Sequence, residues 1–222
     1  KVELEWIQAE EVEGLLTAGR MSNLDGIVIP GGFGGRGVEG KIAAAQFARE
    51  NNLPCLGLCL GMQVMTIEFA RHVLGLTQAS STEFDPSTTA PVIDLMNDQR
   101  EVSNKGGTMR LGAYYAVLAP GSQVAAMYGE PVVSERHRHR YEFNAQFRTR
   151  FEDSGFLCSG TSPDKRLVEF IELTGHPFWV GTQAHPEFKS RPDRAHPLFI
   201  GLINAALNYR ESSLSASSTS QH

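Results

Sequence analysis

Apolar positions in the first third of the chain change period several times. From Val2 to Ile7, Val, Leu and Trp alternate with Glu, the two-residue period of a strand with one wet face. Residues 10–20 set Val12, Leu15 and Leu16 on one side of a helix. Asp25-Gly-Ile-Val-Ile-Pro-Gly-Gly reads as a short apolar strand that breaks into a glycine loop, Gly31 to Gly37. Residues 38–50 gather Ala, Ile and Phe on one helical face. Leu53 to Leu58 is apolar without alternation, as in a strand covered on both sides. It runs into Cys59, and residues 60–74 return to helical spacing. This order predicts an α/β fold: a mostly parallel sheet with helices on both faces.

The pattern changes after residue 77. Residues 77–91 are rich in Ser, Thr and Pro and read as a loop. Short strands are predicted at Pro91–Leu95, Gly107–Leu111, Ala113–Leu118 and Val132–Arg140, an antiparallel hairpin at the side of the sheet. Residues 167–173 and 178–184 read as closing strands and 196–209 as a last helix. The stretch from Glu211 to His222 holds six Ser and one Thr. It has little to bury and is expected to be disordered. There is no internal repeat, so residues 1–210 are expected to form one domain followed by a tail.

Composition narrows the class. With 41% hydrophobic residues in 222, the chain can build a core. Its net charge is 20 − 25 = −5, which argues against a dedicated nucleic-acid binder. Three cysteines make no disulfide framework, and no Cys/His cluster suggests a metal. No apolar run reaches the roughly 18–20 residues of a membrane span. There is no apolar leader, so a cytoplasmic setting is expected. The first residue is Lys1, consistent with processing or with a piece of a longer protein.

The candidate chemistry starts at Gly57-Leu-Cys59-Leu-Gly61. A cysteine taken alone is most often a small buried hydrophobe. Here it stands between a buried strand and a helix, flanked by glycines that permit a sharp turn. A helix N-terminus favours thiolate, and the Leu60 N–H can donate to an oxyanion. Cys55 and Cys158 lack this frame and are read as structural. A thiol nucleophile needs a base, and the base needs an orienting acceptor. His185-Pro-Glu187 follows an apolar strand, and residues i and i+2 of an extended chain project the same way. Glu187 can therefore hold His185 against Cys59. His72, His176 and His196 read as structural or solvated. The glycines at 31–37 let backbone N–H groups approach a ligand. A plain turn is the alternative, and a phosphate loop is rejected because the Lys-Ser/Thr ending is absent. In Glu135 to Glu142, period two puts Arg136, Arg138 and Arg140 on one face and His137, His139 and Tyr141 on the other. On charge alone that is a solvated edge strand.

With Gly57-Leu-Cys-Leu-Gly-Met-Gln63 and His185-Pro-Glu187 together, the chain resembles the class I (triad) glutamine amidotransferases. Within them it is similar to the glutaminase domain of the CTP synthases. Residues 30–41, Gly61-Met-Gln63, Ser81–Pro86, Gly106–Gly112 and Glu135–Glu142 carry that narrower likeness, and it covers about residues 2–210. The resemblance implies a flavodoxin-like fold and hydrolysis of glutamine by a Cys59-His185-Glu187 triad. It implies oxyanion donors at Gly32 and Leu60, and substrate contacts from these two with Gln63, Glu83 and Arg140, Tyr141 packing nearby. It also implies a role for Arg36 in activation by GTP. Further implied are a separate synthase domain binding ATP, UTP and Mg²⁺, amination of UTP to CTP with the released ammonia, and a tetrameric whole enzyme. The family's glutaminase domain has an earlier strand and helix, so a fragment is expected, and its loss is expected to weaken folding. The segment between Arg100 and Gly106 reads as a clipped hairpin. Two other readings stay open: a stand-alone glutamyl hydrolase using the same triad, and an inactive module.

Overall fold

The computed structural model describes residues 1–95 and 109–219. The strands are β1 (Ile27–Ile29), β2 (Cys55–Leu58), β3 (Ala79–Ser81), β4 (Ala90–Leu95), β5 (Arg110–Leu118), β6 (Val132–His139), β7 (Tyr141–Phe143), β8 (Phe156–Thr161), β9 (Val168–Leu173) and β10 (Trp179–Thr182). The helices are α1 (Val12–Thr17), α2 (Val38–Glu50), α3 (Leu60–His72), α4 (Gln123–Tyr128), α5 (Arg148–Glu152) and α6 (Pro197–Thr219).

Successive side chains of the central strands feed two separate cores. Cys55 and Trp179 join the cluster under α2 and α3, whereas Leu56, Leu58 and Val180 join the one under α4 and α6. The unalternating apolar runs seen in the sequence follow from this: both faces are dry. Across the first core, Arg49 of α2 grips the buried Glu68 of α3 with bonds of 2.8–3.0 Å. That pair fixes how α2 lies on α3.

The main sheet has the order β1-β2-β10-β9-β8-β5-β6, and β3-β4-β7 form a small second sheet. Strands β1, β2 and β10 are parallel, while every pairing from β10 to β6 is antiparallel. The sheet is therefore mixed, not mostly parallel. The connections β8–β9 and β9–β10 are a few residues long, and parallel neighbours need a crossover of roughly a dozen residues or more. The layered α/β arrangement with helices on both faces stands as expected, as does an antiparallel flank.

Other expectations change. Val2–Ile7 joins no ladder among the described residues, and Val2, Leu4 and Trp6 are exposed. Alternation specified a wet face but no partner, and an unpaired strand has nothing to bond to. Among the described residues, the two strands expected at 107–111 and 113–118 form one, β5, whose pairing with β6 runs through Gly112 at φ +107°. Strand β8 and helix α4 carry no clear period and went unpredicted. The last helix continues to Thr219 instead of ending at 209. There Ser212, Ser213 and Ser215 donate to carbonyls four residues back, while residues 211–215 stay exposed. The clipped hairpin at 100–106 lies outside the described residues. No helix of the described residues is long and apolar enough to cross a membrane.

One charged cluster is buried beneath the antiparallel half. Arg110 donates to Glu169 at 2.7 Å and to Glu142 at 3.2 Å. One cation cannot neutralise two carboxylates. Burial pushes Glu142 up to about 8; Arg110 opposes this and Glu169 adds to it. A carboxyl raised by folding stabilises below its ordinary value and loses that contribution as pH climbs through the folded value. Urea midpoints should therefore fall between pH 5 and 8.5, and Glu142→Gln should flatten that fall. An unchanged slope in the variant would show that Glu142 does not carry the proton.

Candidate active site

Cys59 is the whole turn between β2 and α3. Its backbone sits at φ +51°, ψ −103°, a strained conformation costing of order 1–3 kcal/mol. The flanking glycines make it attainable. A Cβ on Gly57 would lie 2.3 Å from Met65 Sδ, and one on Gly61 would lie 2.1 Å from the Ile29 carbonyl oxygen. With neither Cβ present, α3 starts immediately at Leu60 and packs against the ends of β1 and β2. The Cys59 N–H donates to the Thr182 carbonyl at 2.7 Å, tying the turn to β10.

The histidine arrives from the end of β10. The His185 N–H donates to the Arg136 carbonyl at 2.8 Å. A 3₁₀ turn at Pro186–Phe188 brings Glu187 Oε1 to 2.6 Å from His185 Nδ1. The Phe188 ring stacks on the imidazole at 5.0 Å. Nε2 is buried and makes no hydrogen bond of ordinary length. Gly31, at the end of β1, leaves the room between the imidazole and the thiol. A Cβ there would stand 3.1 Å from His185 Cε1 and 3.6 Å from Cys59 Cβ. Burial alone would lower the imidazole pKa. Interaction with Cys59 and Glu187 outweighs it and pushes His185 up to about 9. Glu187 is held below the usual carboxylate range: burial raises it, and the bond to His185 wins. Burial pushes the Cys55 thiol far up and the Cys158 thiol to about 12.

A small pocket opens over Cys59, lined by Gly32, Phe33, Gln63, Glu83, His139, Arg140 and Tyr141. Gly32 lies against Leu60, where an added Cβ would meet the leucine Cδ2 at 3.2 Å. Glu83 Oε1 accepts the Gly34 N–H at 2.8 Å, joining its loop to the glycine loop. Gln63 Nε2 donates to the Tyr141 carbonyl at 3.1 Å and to Gln183 Oε1 at 3.2 Å. Both its amide protons thus point at protein acceptors. Arg36 stands apart, exposed, and paired with Glu10 at 2.8 Å. His137 and His139 share a 2.9 Å bond, with both side chains buried. A larger cleft of about 670 Å³ lies along α6 beside Asn204 and Tyr209, and neither the thiol nor the imidazole is near it.

The structure thus gathers Cys59, His185, Glu187, Gly32, Leu60, Gln63, Glu83 and Arg140 in one place. Residues 1–205 match the family model described as glutamine amidotransferase class-I. The chain belongs to the class I glutamine amidotransferases. It is 58% identical over 206 residues to the CTP synthases of Roseiflexus sp. and Bacillus subtilis, covering 92% and 93% of this chain. It spans only 37% and 38% of the length of those relatives. The glutaminase domain of Trypanosoma brucei CTPS, solved with bound acivicin, superposes with a TM-score of 0.86 at 38% identity. That match covers 94% of this chain and 81% of the other. A GMP synthase component from Thermoplasma acidophilum shares the fold, at TM-score 0.57 and 15% identity, over 96% of this chain and 94% of its own. The chain is therefore an amidotransferase domain of the CTP synthase kind.

Sequence reasoning missed Gln183, whose Nε2 lies 3.7 Å from Cys59 Sγ. Its place two residues before His185, as Glu187 is two after, gives no mark by itself. Sequence reasoning placed Gly31 in the glycine loop but not between the imidazole and the thiol.

Two outcomes test the amidotransferase site. Gly61→Ala should cost about 1–3 kcal/mol of stability, the range for overpacking, and should slow Cys59 alkylation; a neutral effect would mean that α3 can retreat. In the second, the His185 imidazolium gives stability that is complete below about 6.5, its ordinary value. That stability is lost as pH rises through about 9. The NMR titration midpoint of His185 should fall in Glu187→Gln and in Cys59→Ser, and an unmoved midpoint would break the link.

Proposed function

We propose that this chain hydrolyses the side-chain amide of glutamine as the glutaminase part of a CTP synthase. The observation that carries the reading is the meeting of the Cys59 turn with the His185–Glu187 pair across Gly31. In this mechanism the Cys59 thiolate attacks the amide carbonyl carbon. The oxyanion accepts from backbone N–H groups at Leu60 and Gly32. Leu60 is the first residue of a helix, where N–H groups have no partner within the helix. Imidazolium His185, oriented by Glu187, protonates the leaving nitrogen, and ammonia departs. Neutral His185 then takes a proton from water, which cleaves the γ-glutamyl thioester and returns glutamate.

The pocket suits an amino acid. Glu83 offers a carboxylate for the α-ammonium and Arg140 a guanidinium for the α-carboxylate. The ammonia would be used in the ATP-dependent amination of UTP to CTP. ATP, UTP and Mg²⁺ are assigned to the synthase part of the whole enzyme, which is read as a tetramer in the cytoplasm. GTP is assigned as activator, with exposed Arg36 on the glycine loop as one contact.

A glutamine-mimicking diazo-ketone should add once, on Cys59, by intact mass and peptide mapping, and excess glutamine should prevent it. An adduct spread over other residues would sink the assignment. In the intact enzyme, Cys59→Ala should lower glutaminase turnover by about a thousandfold or more, and His185→Ala comparably, since coupled residues act as a unit. Arg36→Ala should keep basal turnover and lose stimulation by GTP; retained stimulation would remove Arg36 from that role.

A further inference from the structure

We propose that Gln183 is a positioning residue for the nucleophile, its carboxamide turned by Gln63 so that an N–H is presented to the Cys59 sulfur. The inference rests on the reading of Cys59 as nucleophile and deepens it.

The orientation follows from a chain of donors and acceptors with one consistent solution. The Tyr141 carbonyl can only accept. It lies 3.1 Å from the amide end of Gln63, so that end must be the nitrogen. The same nitrogen lies 3.2 Å from the near end of Gln183, which must then be oxygen. The remaining end of Gln183 is its NH₂, and that end faces Cys59 Sγ at 3.7 Å. A flipped Gln183 would set two donors against each other and an acceptor against the sulfur. The residue is fully buried, so water cannot repair such a mismatch. Its backbone is fixed as well, the Gln183 N–H donating to the Glu169 carbonyl at 2.9 Å. A fixed donor beside sulfur favours an anionic acceptor over a thiol, because hydrogen bonds to charged acceptors are the stronger ones. The Arg138 carbonyl, 4.0 Å from the same sulfur, can accept only from the thiol form, so the Gln183 donor is the contact that favours the anion. The triad residues alone do not supply this donor.

The test uses the chain itself and needs no turnover. Cys59 alkylation by iodoacetamide is followed from pH 5.5 to 9 by intact mass and peptide mapping, with buried Cys55 and Cys158 as internal references. Gln183→Glu keeps the shape and replaces the donor with an acceptor. Gln183→Met removes the donor, and Gln63→Met releases the carboxamide to turn. The rise of rate with pH should move to higher pH in all three, most in Gln183→Glu. There the rate at pH 7 should drop about tenfold, the scale of one hydrogen bond to a charged group. A variant set with lower urea midpoints but the parental pH profile would make Gln183 a packing residue and overturn the inference alone. A parental Cys59 that reacts no faster than free cysteine would overturn the nucleophile reading and this inference with it.

Discussion

A Cβ on Gly61 would overlap the carbonyl oxygen of Ile29, and this close approach of α3 to β1 is what the site is built on. Because the helix can come this near, it begins one residue after Cys59. The thiol therefore sits at the positive end of a helix dipole, with unpaired N–H groups around it. Gln63 falls one turn further in, over the same pocket. The approach is secured from behind by the Arg49–Glu68 pair and by the buried run Met62 to Ala70 against α2 and the sheet. A backbone strain of a few kcal/mol at Cys59 is small beside that packing.

Topology then decides which residues meet. Strands β1, β2 and β10 are the parallel part of the sheet. Ligands in such sheets collect at the carboxyl ends of the strands. Those ends deliver Gly31, Cys59 and Gln183-to-His185 respectively. The antiparallel half contributes differently. Its edge strand β6 turns Arg136 and Arg138 outward and buries His137 and His139. Burial and Arg110 push His137 down to about 3 and His139 well below its ordinary value. Both are neutral at working pH. A second imidazolium under the pocket would repel the one on His185; their neutrality leaves the proton where Glu187 holds it.

The elements with a strong period were legible in the sequence, and so was the meeting of Cys59, His185 and Glu187. Helix α2 over residues 38–50 and strand β2 into Cys59 appear where apolar spacing put them. The G-x-C-x-G frame was readable because a steric rule, not a contact, demands those glycines. Gln63, Glu83 and Arg140 came only from family likeness, since an isolated Gln, Glu or Arg has no local mark of function. What stayed hidden depends on partners distant in the chain. Val2–Ile7 alternates like a strand yet has no ladder, because alternation encodes a face and not a neighbour. The mixed character of the sheet was hidden for the same reason: buried strands look apolar whichever way their neighbours run. Gln183 was hidden by its neighbours, as an amide beside a His-Pro-Glu signal draws no notice until its carbonyl and amino ends are assigned.

On the proposed reading, recognition and chemistry are joined through two hydrogen bonds. Glu83 must meet a substrate ammonium, yet Oε1 already accepts the Gly34 N–H. A carboxylate has two oxygens and about four acceptor sites, so it can do both. Its placement then depends on the conformation of the glycine loop, and that loop also carries Gly32 to the oxyanion position. Gln63 works the same way in the other direction. One of its protons fixes the Tyr141 backbone beside Arg140, and the other turns Gln183 toward the sulfur. A shift of the glycine loop would therefore move Glu83 and the oxyanion donor together. A shift at the β6–β7 junction would reach the nucleophile through two amides. Neither half of the site can be displaced without the other registering it.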